Sequence, residues 1–199
     1  MESLCVSMTR PVAVIQTPAK RPVVSALIVR VPEAESHVGE LRARFDPSMR
    51  RGVPAHVTLL YPFMAPERLD AQVMAQLQTL FHDQSSFAFR LERIGRFPAT
   101  AYLEPEPGEP FVALTQAIHH QFPAYPPNRG EFPAIIPHLT VANGDAAQAT
   151  HAAEELRAIM RQRGPIHALC QSVTLIENST GRWQVRHEFA LQGPPPSQT

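Results

Sequence analysis

Cysteine is scarce in this chain: Cys5 and Cys170 lie far apart and in no metal-knuckle spacing, so neither a disulfide framework nor a zinc finger can be assembled, and a reducing compartment is expected. Charge of one sign is also missing, since 18 Lys and Arg balance 18 Asp and Glu. That excludes the broad basic footprint with which a protein coats long nucleic acid, so extended DNA binding is not expected. No apolar run approaches the ~20 residues of a membrane helix, and residues 1–20 hold no continuous hydrophobic segment of the secretory kind. A cytoplasmic protein without membrane contact is the expectation.

What the chain does have is proline, 21 residues of it, and a hydrophobic share of 44%. The second figure suits a folded globular unit, while the prolines punctuate loops and ends. Residues 1–20 show no sustained period and read as a flexible lead-in, residues 21–192 as one compact domain, and 193–199 as a Pro-rich flexible tail.

Within the domain, period-two and period-3.6 patterns alternate. Strands are expected at Val23 to Val31, His56 to Leu60, Phe87 to Ile94, Thr100 to Glu104, His138 to Ala142, Ile166 to Ile176 and Trp183 to Leu191. Helices are expected from Glu33 to about Phe45, Pro66 to His82, Glu109 to Phe122, and Asn143–Asp145 to Arg163. Asp46 to Ala55 and Pro123 to Pro137 read as loops. The order strand, helix, loop, strand, helix, long strand therefore occurs twice, which points to an internal duplication carried by pattern rather than by identity.

Each half carries His-x-Thr at the same place, as His56-Val57-Thr58 and His138-Leu139-Thr140. Strand side chains alternate faces, so each His shares a face with its Thr while Val57 and Leu139 point the other way. An approximate two-fold axis between the halves would gather two imidazoles and two hydroxyls around one ligand. Those groups suit in-line cleavage of a phosphodiester: a base beside the attacking oxygen, an acid beside the leaving oxygen, and donors to the non-bridging oxygens. Either imidazole can take either role near neutral pH, and no metal or other cofactor is required. One such triplet is expected by chance about half the time in a chain of this composition; two at equivalent points of a repeated order are far rarer.

On Pro54-Ala55-His56-Val57-Thr58-Leu59-Leu60-Tyr61-Pro62-Phe63 and Pro137-His138-Leu139-Thr140-Val141-Ala142, together with the element order from Val23 to Leu191, the chain resembles the two-histidine (2H) phosphoesterase superfamily, in its 2′-5′ RNA ligase-like branch. The resemblance implies a bilobal α+β fold, a pseudo-two-fold duplication with two antiparallel sheets lining a central cleft and helices on the outer faces. It also implies hydrolysis of 2′,3′-cyclic phosphates or related cyclic or 2′-5′-linked esters, with catalytic roles for His56 and His138 and phosphate-binding roles for Thr58 and Thr140. The expected partner is a small nucleotide or RNA-terminus phosphoester. Members resembling the ligase type carry an arginine shortly after the second motif; Ala142-Asn143 stand here, a departure that bears on polynucleotide joining.

Tyr61 and Phe63 could stack on a base or simply pack, and Arg50, Arg51 and Arg129, in the loops before the two motif strands, could steer an anion or be solvated. Trp183 is an aromatic platform or a core residue, and His119-His120 diverge on their helix too far to share a metal. Two other functions stand beside the enzyme: a non-catalytic nucleotide- or RNA-end-binding module on the same fold, and a metal-dependent hydrolase, for which no supporting ligand spacing exists.

Overall fold

The computed structural model describes residues 22–131 and 134–193. The expected lead-in of residues 1–20 and, Gly193 apart, the tail lie outside the described residues. The element order is β1 (Ser25–Arg30), α1 (Glu35–Phe45), α2 (Pro47–Arg50), β2 (His56–Leu60), α3 (Ala71–His82), β3 (Phe87–Phe97), β4 (Thr100–Glu106), α4 (Glu109–Gln121), β5 (Leu139–Asn143), α5 (Ala146–Arg163), β6 (Ile166–Cys170), β7 (Ser172–Glu177) and β8 (Gln184–Ala190). The two expected long helices with Pro near the start, at Pro32 and Pro66, each open as a short 3-10 turn before the α-helix proper. Asp70 and Asp145 cap α3 and α5 by accepting from the backbone N–H three residues on, the usual remedy for unpaired amides at a helix start.

The strands form one curled antiparallel sheet in the order β6-β3-β4-β5-β2-β1-β7-β8. Where two sheets were expected, two four-stranded halves are hydrogen-bonded into one, across a junction where β2 meets β5 at the single pair Val57–Leu139. That junction lies between the two motifs, so His56, which opens β2, and His138, which immediately precedes β5, stand at neighbouring strands. Beyond the ends of the sheet, Ser86 N–H donates to the Gln192 carbonyl and Gln192 N–H to the Gln84 carbonyl, tying the segment after β8 to the one before β3.

Two expectations need correction. Ile166 to Ile176 is not one strand: it breaks at Gln171 into β6, which pairs with β3, and β7, which pairs with β1 at the other side of the sheet. Curling of the sheet lets one continuous stretch of chain reach both. Asp46 to Ala55 is not all loop, for Asp46 caps the short helix α2 with Pro47 in its first turn, a start signal present in the sequence.

The duplication is interlocked. β3 leaves β1 and β2 behind and pairs with β4 of the second half, while β7 leaves β4 and β5 and pairs with β1 of the first. Helices cross over likewise, with α1 packed on β5 and α5, and α4 packed on β2. One large apolar core lies under the helices and takes in Val57, Leu59, Leu139 and Val141 from the motif strands, which leaves His56, Thr58 and Thr140 on the opposite face.

Candidate active site

His56, Thr58, His138 and Thr140 line one open cavity of about 570 Å³, together with Arg51, Tyr61, Arg129 and Trp183. That size falls in the range of sites that enclose a nucleotide-sized ligand. Its floor is apolar, made of Ala26, Ile28, Val53 and Ile176, with Trp183 packed against them. Trp183 is thus both a packed residue and a wall of the cavity, and Tyr61, 44% exposed, meets it edge-on at 6.0 Å between ring centroids.

The two histidines are held by the same device. His56 Nδ1 lies 2.8 Å from the Pro54 carbonyl oxygen and His138 Nδ1 lies 2.7 Å from that of Ile136, in each case two residues upstream. A carbonyl can only accept, so Nδ1 carries the proton in both rings and Nε2 offers its lone pair in the neutral state. His56 Nε2 takes a hydrogen bond of 3.1 Å from the Thr58 hydroxyl. Repetition of this local geometry is the firmest trace of duplication at the level of side chains.

Their surroundings differ. Burial pushes the His56 imidazole down to about 4, and the Arg42 guanidinium and His138 push the same way, against the Pro54 carbonyl and the Asp46 carboxylate. His138 is also lowered by burial, partly offset by the Ile136 carbonyl. At neutral pH both rings are therefore mainly uncharged bases. His138 sits in an aromatic bracket, 5.3 Å from the ring of Phe97 and 5.1 Å from that of Tyr102. Gly95 makes the bracket possible: it pairs with Tyr102 across β3 and β4, and a Cβ there would fall 2.2 Å from the Tyr102 ring.

On the His56 side the support is ionic. Arg42, buried in α1, donates from Nε and Nη2 to Asp46 Oδ2 at 3.1 and 3.0 Å and from Nη2 to the Val53 carbonyl at 3.0 Å. Asp46 in turn accepts from the Ser48 backbone at 2.9 Å. Glu35 accepts from the Ala55 amide at 2.7 Å. Together they fix the segment leading into His56. Neither Arg42 nor the Phe97–Tyr102 bracket stood out in the sequence; the one signal available was an arginine at a position where its helix turns inward.

Among the other candidates, Arg129 lines the cavity from a loop in which Asn128 and Arg129 both adopt left-handed backbone, with φ of 51° and 56°. Phe63 does not line it: 3% exposed, it packs on Phe122 and Tyr125 at 5.3 and 5.1 Å, which corrects the suggestion of a substrate contact. His119 and His120 close α4 away from the cavity. Among the described residues no cluster of three or more His, Cys, Asp or Glu is gathered for a metal ion, and no helix is long and apolar enough to cross a membrane.

Comparison with known proteins agrees with this architecture. A Bacillus cytotoxicus protein named "Putative phosphoesterase" is 30% identical over 162 residues, covering 76% of this chain and 86% of its own. The Thermus thermophilus protein TT0787 superposes with a TM-score of 0.59 at 19% identity, over 86% of this chain and all of that one. Escherichia coli LigT, crystallised with 3′-AMP, gives 0.54 at 18% identity, over 86% of this chain and 99% of its own. The sequence model of the 2′-5′ RNA ligase superfamily matches residues 31–182, and with these relatives the chain belongs to that superfamily of two-histidine phosphoesterases.

Proposed function

We propose that this phosphoesterase is a metal-independent phosphodiesterase, acting on 2′,3′-cyclic phosphates or related cyclic, 2′-5′-linked or RNA-end phosphoesters through paired acid–base catalysis by His56 and His138. The reading rests on one geometric fact: both imidazoles and both motif threonines line a single cavity, each ring anchored at Nδ1 with Nε2 left for chemistry.

In the reaction, one neutral Nε2 takes a proton from water as the water oxygen bonds to phosphorus. The bond from phosphorus to the ribose oxygen breaks, and the other ring, protonated on Nε2 beforehand, gives that oxygen its proton. An approaching phosphate anion favours the imidazolium that burial disfavours, so substrate binding itself loads the acid. The Thr58 and Thr140 hydroxyls donate to the non-bridging oxygens, where charge must be held in the transition state. LigT was crystallised with 3′-AMP, a nucleotide of the product class, which supports a nucleotide ligand for this chain.

Incubation with nucleoside 2′,3′-cyclic phosphates in the presence of a chelator tests this. Wild type is expected to turn over, and His56→Ala and His138→Ala each to lose about 10²- to 10⁴-fold, the range for a positioned acid or base. Turnover surviving in both variants would remove the assignment, and strong inhibition by the chelator would move the chemistry to a metal. Tight nucleotide binding without product would make the chain a binding module on the same fold.

A further inference from the structure

Arg51 lines the cavity without a place in the chemistry above. Its Nε–H is shielded from water and meets no acceptor among the described residues. Shielded polar groups are almost always paired, so an unmatched N–H on an arginine that lines a ligand-sized cavity marks a guanidinium whose neighbours do not supply its acceptors. The backbone around it is fastened. Trp183 N–H donates to the Arg51 carbonyl at 2.8 Å, and Arg182 Nη1 donates to the Arg50 carbonyl at 3.1 Å. Gly52, at φ +97°, lies so close to the Trp183 carbonyl that a Cβ would come within 2.9 Å of it. Arg51 is thereby held against the β7–β8 turn, beside Trp183 on the apolar floor.

The charge balance of the cavity points the same way. Asp46, its one lining carboxylate, is taken up by Arg42 and Ser48. Arg51 and Arg129 remain, with no ion pair among the described residues, so the cleft is locally cationic in a chain of zero net charge. The two histidines, their protonation disfavoured by burial, add little charge at neutral pH. A single cyclic phosphodiester brings one negative charge, and that charge sits between the imidazoles.

We infer that Arg51 anchors a second anion subsite, and that the substrate carries a further phosphate beside the one attacked: a nucleotide or oligonucleotide end with its second phosphate on the guanidinium fork and its sugar or base over Trp183. Two N–H groups of one guanidinium can meet two phosphate oxygens at once, which a lysine cannot do. The position of the first phosphate rests on the proposed function; the subsite itself does not.

Calorimetry at fixed ionic strength with adenosine 3′-monophosphate and adenosine 3′,5′-bisphosphate, on wild type, R51Q, R129Q and H138A, tests the inference. Wild type is expected to bind the bisphosphate about tenfold more tightly, the step that one charge-assisted contact supplies. R51Q brings the ratio near one with the monophosphate affinity little changed, R129Q leaves the ratio in place, and H138A weakens both ligands alike and preserves it. A ratio near one in wild type, a ratio surviving R51Q, or an equal loss in R129Q would each overturn the subsite, the last because it would mark diffuse charge instead. An unchanged thermal midpoint for R51Q shows that the fold is intact. Cyclic phosphates left uncleaved by a protein that keeps the R51Q-sensitive ratio would refute the proposed catalysis and leave the subsite standing.

Discussion

The two motif histidines share a backbone device and differ in everything packed around it. Each donates Nδ1–H to the carbonyl two residues upstream. His56 is then backed by a buried ion pair, Arg42 with Asp46, and by the Thr58 hydroxyl, whereas His138 is held between two aromatic rings. Strand geometry and the anchoring carbonyl thus suffice to aim an imidazole, and the surroundings are free to diverge. What they tune is how strongly each ring resists a proton, and burial at His56 does so most.

The contrast is sharpest under substitution. Arg42→Ala leaves the Asp46 carboxylate buried without its partner and is expected to lower stability by about 3–5 kcal/mol, read from the denaturant midpoint. The matching change on the other side, Tyr102→Leu, removes a ring wall and no charge, and should cost about 1–3 kcal/mol. Equal losses would break the comparison. Thr58→Val and Thr140→Val are each expected to lower kcat by roughly 10²-fold if both hydroxyls serve the non-bridging oxygens. A loss confined to Thr58→Val would mean that its role is to hold His56.

Gly95→Ala, by displacing the Tyr102 ring from His138, should reduce kcat more than it raises KM, by a factor of about 10. A further effect is with pH. An unfolded histidine titrates near ~6.5 and folded His56 at about 4, so on acidification the unfolded chain takes up the proton first. Stability therefore falls between those values, and His56→Asn should flatten that slope in pH-dependent unfolding. If one ring acts as the acid and the other as the base, as proposed, kcat/KM should peak on the acid side of ~6.5.

Strands β2 and β5 were legible because Val57, Leu59, Leu139 and Val141 alternate with the polar motif residues, and a half-buried strand has no other way to satisfy both faces. The bracket of Phe97 and Tyr102 and the clamp of Arg42 were not, since each depends on elements brought together from distant parts of the chain. The break at Gln171 escaped for a different reason. Ile166 to Ile176 contains no Gly or Pro, and only the curl of the whole sheet asks the chain to change partners there. Arg51 was visible as a loop arginine; its open Nε–H became meaningful only once Trp183 was seen to tether its backbone.

The exchange of β3 and β7 between the halves has a consequence for how the molecule comes and goes. Cleaving the chain at the β3–β4 hairpin would give two fragments, each with one motif histidine and each missing a neighbour for its innermost strand, since β2 and β5 pair with each other across the cut. The strand exchange that joins the halves is therefore also what brings the two motif histidines to one cavity.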